Sequence, residues 1–242
     1  MAEVLKDTVV SLHQELAFLN IPDALNRLAA AFPGQVTFST SFSNEDQVIT
    51  DLIRKSGADI SIFTLDTGRL FPETYSTWSR TNEQYGFKVK AYYPNTQNVE
   101  QYVEANGPNA FYESVELRKD CCFIRKVEPL RRALQNNAVW ITGLRAEHSP
   151  ARQDLTLVEW DEVNGVIKYN PLLHWTTAEV AHYIAENNVP YNILHDRGFV
   201  SIGCAPCTRA IKPGEDFRAG RWWWEDATKK ECGLHVHAAV SH

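Results

Sequence analysis

The most constraining feature of the sequence is a repeated alternation of short apolar segments with longer helical patterns. Residues 36–40, 59–65, 88–93 and 138–142 are mostly apolar or β-branched, and helical periodicity separates them. Near-continuous apolar strands of this kind are typical of a parallel sheet that is buried on both faces. We therefore predict an α/β fold, a parallel twisted sheet with helices on both faces.

The second half of the chain extends this pattern. Residues 155–160 and 166–169 predict a β-hairpin closed around Asn164-Gly165, and a helix follows from about 177 to 187. Pro129 interrupts the preceding helical pattern and predicts a kink or two abutting helices. We expect one α/β domain over residues 1–212, followed by a C-terminal segment, 213–242, that ends in a mobile tail.

Polar residues gather where three predicted strands end, at 41–46, 66–70 and 143–152. Ligands of open α/β sheets bind beyond the carboxyl ends of the strands, and a helix N-terminus presents free backbone N–H groups to an anion. Each feature taken singly is also explained by a helix cap that binds nothing. Their convergence on one edge of the sheet is what predicts a binding site.

Four of the five cysteines form two close pairs, Cys121-Cys122 and Cys204-x-x-Cys207, which leaves Cys232 unpaired. Paired cysteines are typical of zinc and iron–sulfur sites. Adjacent cysteines on a helix diverge by about 100°, so they suit separated irons of a 4Fe-4S cluster better than one zinc ion. Zinc is the second interpretation, and a disulfide or four unliganded thiols the third. Cys232, with a histidine three residues later, is a candidate nucleophile.

The charge pattern indicates an anionic small-molecule ligand. The net charge of −6 disfavours general binding to nucleic acid or to a membrane surface. Basic residues nevertheless gather near the strand ends and the cysteines, where arginine pairs well with phosphate or sulfate, although each residue taken alone is more commonly a solvated surface charge. There is no Walker loop and no G-x-G-x-x-G fingerprint. The basic residues in question are Lys126, Arg145, Arg152, Arg218 and Arg221.

The N-terminal residues lack the charged and apolar regions of a signal peptide, and no apolar run approaches the length of a membrane span. We therefore expect a cytoplasmic protein, in which cysteine clusters indicate metal binding or catalysis rather than disulfides. The sequence leaves open whether the chain forms a homo-oligomer.

Several motifs together indicate a family. They are the two cysteine pairs, LDTGRL at residues 65–70, RWWWE at 221–225 and ECGLH at 231–235. Through these motifs the chain resembles the assimilatory adenylyl-sulfate reductases, which are iron–sulfur members of the phosphoadenylyl-sulfate reductase family. The resemblance extends from Ser41 to His235. The resemblance implies an adenine-nucleotide α-hydrolase-like fold, adenosine 5′-phosphosulfate as substrate, one 4Fe-4S cluster per chain, and thioredoxin or glutaredoxin as reductant.

The resemblance also implies roles for individual residues. Catalytic roles fall on Cys232, His235 and Lys126, and cluster ligation falls on Cys121, Cys122, Cys204 and Cys207. The resemblance and the position of the strand-end loops together indicate a set of substrate-binding residues. They are Ser41, Ser43, Glu45, Asp46, Asp66, Thr67, Gly68, Arg69, Arg145, Arg152, Arg218 and Arg221.

Two segments depart from the family's patterns. Phe42 and Ser43 stand where the pyrophosphate loop of ATP-using relatives has two glycines, and Asp46 stands where that loop has its final serine. We expect the bulkier side chains to hinder close wrapping of a pyrophosphate, in agreement with a phosphosulfate substrate. His148 stands where the family has a glutamine.

The mechanism implied is nucleophilic displacement at sulfur. The Cys232 thiolate attacks the sulfate sulfur and AMP leaves, which forms an S-sulfocysteine that thioredoxin then releases as sulfite. We expect a cluster that does not change redox state during turnover and that helps to position the sulfate through Lys126.

Three alternatives remain open: a reductase for the 3′-phosphorylated substrate, an ATP-dependent iron–sulfur sulfurtransferase acting on tRNA, and a non-enzymatic iron–sulfur or zinc sensor. The glycine-poor loop and the acidic balance argue against the tRNA enzyme, and a sensor needs neither the strand-end arginines nor Cys232.

Overall fold

The computed structural model describes residues 2–148 and 155–226. Two helices, α1 (Ala2–Leu16) and α2 (Ile21–Ala31), precede the first strand. The next units are β1 (Val36–Ser39), α3 (Asn44–Ser56), β2 (Ser61–Leu65), α4 (Pro72–Tyr85), β3 (Lys90–Tyr92) and α5 (Thr96–Asn106). The second half has α6 (Val115–Cys122), α7 (Glu128–Leu134), β4 (Val139–Ile141), β5 (Val158–Asp161), β6 (Val166–Tyr169) and α8 (Thr177–Asn187).

The strands form one sheet in the order β3-β2-β1-β4-β6-β5. All neighbours are parallel except β5 and β6, which form the predicted hairpin, with Gly165 in the left-handed region at φ 66°. The chain moves from β1 through β2 to β3 and then returns to place β4 on the other side of β1. The carboxyl ends of β1 and β4 therefore flank the point at which the strand order reverses, where open α/β sheets bind ligands.

Helices cover both faces of the sheet, which confirms the predicted fold class. Val139 and Ile141 of β4 contribute to the larger core, together with apolar residues of α1, α2, α3 and α8. Trp140, between them, points to the opposite face, where it clusters with Leu130 and Leu134 of α7. This alternation follows from the two-residue period of a strand.

The helical stretch around the first cysteine pair is bent by a turn of π-helix. The turn spans Phe123–Val127 and joins α6 to α7, and Pro129 lies in the first turn of α7. The predicted interruption is therefore present, but it begins before the proline. Because a π turn inserts an extra residue per turn, it changes the direction of the side chains that follow, and such turns are frequent at functional sites.

The described part of the C-terminal segment packs on the second cysteine pair. Thr208 and Arg221 form an isolated antiparallel bridge, and the Trp222 N–H donates to the Cys207 carbonyl at 3.2 Å. The Arg209 N–H donates to the Gly220 carbonyl at 2.9 Å. A Cβ on Gly220 would lie 2.3 Å from the Arg209 oxygen, so this close approach requires glycine. The division of the chain at residue 212 stays a prediction.

Candidate active site

The loop between β1 and α3 presents a helix N-terminus at the reversal point of the sheet. The Ser43 side chain caps α3 by accepting from the Asp46 N–H at 3.3 Å. Asp46 in turn accepts from the Ser41 N–H at 2.6 Å and from the Ser41 hydroxyl at 2.7 Å. These bonds close the loop on itself. Burial is the main reason that the pKa of the Asp46 carboxyl rises to about 6, and the bonds from Ser41 oppose the rise.

Phe42 takes the backbone conformation of a glycine in this loop. Its φ is 60°, in the left-handed region, although a side chain there costs about 1–2 kcal/mol. The ring is buried and stacks on Trp78 with centroids 5.6 Å apart. The loop therefore combines a glycine-like backbone with an aromatic anchor, and the Phe42 side chain points into the core rather than over the loop.

A cavity of about 240 Å³ lies beyond the carboxyl ends of β1, β2 and β4. Polar residues of the first loop line one wall, and Thr67, after β2, lines another. The predicted catalytic and substrate-binding residues that share this lining are Ser41, Ser43, Glu45, Asp46, Thr67, Lys126, Arg218 and Arg221. Residues distant in sequence are thus brought together as the strand-end argument predicted.

Among the described residues, three cations face this cavity from two parts of the chain. Lys126 lies in the π turn, and Arg218 and Arg221 come from the C-terminal segment. The Arg221 guanidinium approaches residue 203 so closely that an added Cβ on Gly203 would lie 2.3 Å from it. The Arg221 guanidinium also lies 4.8 Å from the ring centroid of the fully buried Trp222. The cavity therefore offers positive charge to an anion.

The four paired cysteines meet beside this cavity. Cys121, Cys122, Cys204 and Cys207 are all buried, belong to one apolar cluster and line one small second cavity. Cys204 and Lys126 line both cavities, so the cysteine site and the strand-end site are adjacent. Within residues 2–148 and 155–226, no three His, Cys, Asp or Glu side chains are placed to hold a single metal ion.

The surroundings favour an anionic sulfur at Cys204, whereas burial favours the neutral thiol at Cys121 and Cys207. Burial favours the neutral Cys204 thiol, but Lys126, a 3.3 Å contact with the Thr67 hydroxyl, Arg221 and Arg125 together outweigh it, and the pKa of Cys204 falls below its ordinary value. Burial raises the pKa of Cys207 to about 12. Four buried thiols match the sulfur donor set of an iron–sulfur cluster, and the cations around them would balance the negative charge of the bound thiolates. The arginines lining this second cavity are Arg69, Arg118 and Arg125.

Other predicted site residues lie outside the strand-end cavity. Asp66 accepts from the Gly68 N–H at 2.8 Å and from the Tyr75 hydroxyl at 2.9 Å, which braces the loop after β2. Arg69 contacts Asn109 and lines the cysteine cavity. Arg145 is buried behind Glu45, which lines the cavity, and does not line the cavity itself. Arg152, Cys232 and His235 lie outside the described residues.

Sequence reasoning missed residues that have no motif of their own. Arg118 forms a bidentate ion pair with Glu225, at 2.9 and 2.7 Å, and both side chains are at most 3% exposed. Arg125 donates to the Thr67 carbonyl at 2.7 Å. Trp140 and Phe217 line the strand-end cavity. The only available signal was position, since both arginines lie within four residues of the first cysteine pair.

A larger, shallower groove of about 800 Å³ lies between α4, α8 and residues 188–196. His195 Nε2 and Asn44 Oδ1 on its lining are buried without a hydrogen-bond partner within the described residues. Its walls come mainly from helix sides rather than from strand ends. The smaller cavity is therefore the better candidate for the active site, because it joins the strand ends, the cations and Cys204.

Comparison with known proteins gives the family. A sequence model of the phosphoadenosine phosphosulfate reductase domain matches residues 35–210. The chain belongs to the phosphoadenosine phosphosulfate reductase family. Curated relatives named adenosine 5′-phosphosulfate reductase include one from Burkholderia cepacia, 53% identical over 84% of this chain and 81% of the relative. Another, from Sinorhizobium fredii, is 48% identical over 97% of this chain and 96% of the relative. The recognition made from the motifs, and the expectation of an oxidoreductase, are confirmed.

Solved structures agree with this membership. A phosphoadenylyl-sulfate reductase from Candida auris, solved with phosphate, is 31% identical, has a TM-score of 0.70, and matches over 85% of this chain and 97% of that one. An FMN adenylyltransferase from Candida glabrata, 15% identical with a TM-score of 0.52 over 98% of this chain and 88% of that one, shows a likeness of fold alone.

Proposed function

We propose that this chain reduces adenosine 5′-phosphosulfate to sulfite and AMP in assimilatory sulfate reduction. The observation that carries the proposal is the cavity at the strand ends, which combines a helix N-terminus with Lys126, Arg218 and Arg221. These groups suit a phosphosulfate because the helix N–H groups and the three cations stabilise its negative charge directly, without a proton transfer. Relatives named adenosine 5′-phosphosulfate reductase, about half identical over most of their length, support the choice of substrate.

The first half-reaction is a displacement at sulfur. The Cys232 thiolate attacks the sulfate sulfur, the bond from sulfur to the bridging phosphate oxygen breaks, and AMP leaves with the electron pair. Positive charge beside the reacting groups favours the thiolate and reduces its repulsion by the sulfate. We assign this charge to Lys126, Arg218 and Arg221, and we assign His235 to the same catalytic group.

The second half-reaction consumes a dithiol. One thiolate of a thioredoxin-type reductant attacks the Cys232 sulfur, and sulfite leaves with the electron pair. The second thiol resolves the mixed disulfide and restores Cys232. Sulfur is thereby reduced by two electrons, which the dithiol supplies on becoming a disulfide. We place this chemistry in the cytoplasm, where thiols stay reduced.

We also propose that Cys121, Cys122, Cys204 and Cys207 hold a 4Fe-4S cluster. The support is their burial around one cavity lined by arginines and Lys126. A bound cluster would supply a fixed charge that helps Lys126 to position the sulfate, without changing redox state itself. Lys126 lines both cavities and is suited to this link.

A second candidate substrate is the 3′-phosphorylated form of adenosine 5′-phosphosulfate. It is favoured by the likeness to the Candida auris phosphoadenylyl-sulfate reductase. The higher identity to relatives named for the unphosphorylated compound places it second. Competition between the two compounds in one assay ranks them directly.

The deciding experiment is an intact-mass measurement after anaerobic mixing with adenosine 5′-phosphosulfate and no reductant. We expect one sulfonate adduct on the wild-type chain and none on Cys232→Ser. Adding reduced thioredoxin should remove the adduct and release one sulfite per chain. Absence of an adduct on protein that carries its full iron and sulfide content would overturn the proposal.

A further inference from the structure

Arg145 lies at the centre of a buried polar cluster just after β4. Its side chain is 1% exposed. Its Nε and Nη2 both lie 3.0 Å from Glu45 Oε1. Nη2 also donates to the Thr177 hydroxyl at 3.0 Å, and Nη1 donates to the Trp175 carbonyl at 2.8 Å and to Glu147. All three guanidinium nitrogens are therefore engaged by protein groups.

The partners of Arg145 join two elements of the site. Glu45 lies in the first turn of α3, next to the loop that closes on Asp46. Glu147 accepts from the Thr177 N–H at 2.8 Å, at the start of α8. Arg145 thus connects the N-termini of two helices, and Glu147 with Thr177 holds the guanidinium in place against Glu45.

Glu45 presents an electrostatic difficulty for an anion site. Its side chain is 11% exposed and lines the strand-end cavity, whereas Arg145 does not line it. A carboxylate at this wall repels phosphate or sulfate unless its charge is balanced. Asp46 beside it adds to the difficulty when ionised. Arg145 supplies a positive charge behind Glu45, on the side away from the cavity.

We propose that Arg145 is a positioning residue that neutralises and orients Glu45 at the wall of the anion cavity, and that it makes no contact with the substrate. The inference rests on the proposed function for the identity of the anion. It gives Arg145 a role different from that of Arg218 and Arg221, which line the cavity themselves.

A double-mutant cycle on ligand affinity tests the proposal. The variants are Arg145→Gln, Glu45→Gln and the two combined, and the ligands are AMP and uncharged adenosine. We expect Arg145→Gln to weaken AMP binding at least about tenfold in the wild-type background but less than about threefold beside Glu45→Gln, because the Glu45 carboxylate that Arg145 balances is then absent. Adenosine affinity should change little in either background.

Two results would overturn the proposal. An equal loss of AMP affinity in both backgrounds would mean that Arg145 contacts the anion directly. A parallel loss of AMP and adenosine affinity would mean that Arg145 only supports the fold. If Arg145→Gln does not fold, Arg145→Lys takes its place, and the ratio of AMP to adenosine affinity should then stay near that of wild type because the charge is kept.

The wild-type adduct measurement separates this inference from the proposed function. A wild-type chain that forms the sulfonate adduct, together with a failed cycle, overturns only the role of Arg145. A wild-type chain that forms no adduct overturns the reductase assignment, while the comparison of AMP with adenosine still reports on Arg145 and Glu45.

Discussion

Asp46, at the edge of the sheet, stabilises its loop through hydrogen bonds, but burial destabilises its ionised form. Asp46 is a buried acid that closes the β1–α3 loop by accepting two hydrogen bonds from Ser41. Its burial nevertheless makes the ionised form unfavourable, and this raises its pKa to about 6 from an ordinary value of 3.8. The loop geometry is therefore kept at the expense of some stability at neutral pH.

The raised pKa predicts how Asp46→Asn changes stability with pH. The folded state holds this proton more tightly than the unfolded state, so the benefit is complete below pH 3.8 and is lost as the pH rises through about 6. A rise of about two units corresponds to about 3 kcal/mol. We expect the unfolding midpoint of Asp46→Asn, relative to wild type, to increase by several degrees between pH 4 and pH 7.5.

Thermal scans of both proteins across that pH range make the measurement. Asp59→Asn is the matched control, since Asp59 is exposed, and its midpoint should follow that of wild type. A difference between Asp46→Asn and wild type that stays constant with pH would show that Asp46 is not the titrating group.

At the level of secondary structure, the β1–α3 loop keeps a glycine-like shape without glycine. Phe42 holds φ at 60° while its ring stacks on Trp78 in the core. The strain of the left-handed backbone is offset by aromatic burial, because removing a buried phenylalanine costs about 3–5 kcal/mol. From the sequence we expect the Phe42 side chain to hinder close wrapping of a pyrophosphate. Its ring instead points into the core, away from the loop, so it does not itself block that approach.

At position 42 we predict that a glycine variant is more stable than an alanine variant, which reverses the usual order of stability. At most positions glycine is less stable than alanine by about 0.5–1 kcal/mol. At Phe42 we expect Phe42→Gly to be more stable than Phe42→Ala by about 1 kcal/mol, because only glycine takes the positive φ without strain. Chemical unfolding of the two variants gives the difference.

Phe38 supplies the control for this comparison. It is fully buried in β1, with ordinary strand geometry, so Phe38→Ala should be more stable than Phe38→Gly. The same order at both positions would contradict the strain assigned to Phe42.

The π turn between α6 and α7 is a second element with consequences beyond its length. It separates the Cys121-Cys122 pair from the apolar face of α7 and places Lys126 on both cavities. A straight helix through these residues would give the cysteines, Lys126 and Leu130 a different angular relation. The irregular turn thus lets one stretch of chain serve the cysteine site and the core together.

Across the protein, the two cysteine pairs are joined through the C-terminal segment. Glu225 forms its ion pair with Arg118 of α6, and Trp222 lies between them and the second pair, with its ring centroid 4.7 Å from the Arg118 guanidinium. The segment that leads to Cys232 is therefore attached to both halves of the cysteine site.

Breaking this connection should destabilise the protein and loosen the cysteine site. Glu225→Gln removes the carboxylate that pairs with the buried Arg118, and losing one partner of a buried ion pair costs about 3–5 kcal/mol. Arg118→Met combined with Glu225→Met removes both charges, and we expect it to be more stable than Glu225→Gln. The measurements are the unfolding midpoint and the iron and sulfide content of the purified variants.

An exposed ion pair provides the comparison. Arg197→Met removes a surface contact with Glu73, and it should leave both measurements at their wild-type values. Equal behaviour of Glu225→Gln and Arg197→Met would show that the buried pair does not connect the segment to the cysteine site.

Much of this arrangement was predictable because its signals are local. Neighbouring residues determine the strand and helix periods, the Asn164-Gly165 turn and the Ser43 cap. The α/β class, the hairpin and the binding edge could therefore be predicted from them. The pairing of cysteines and the family motifs are likewise contiguous. Contacts such as Arg118 with Glu225, 107 residues apart, leave no such signal.

What the sequence could not distinguish was the role of residues of one chemical type. Lys126, Arg145 and Arg221 all read as cations near strand ends, yet two line the cavity while Arg145 is buried behind Glu45. The difference depends on a π turn, on glycine at 203 and on the start of α8, all of which act through packing between distant segments. Chemical type is local information, but the direction in which a side chain points and the groups that surround it are set by the folded whole.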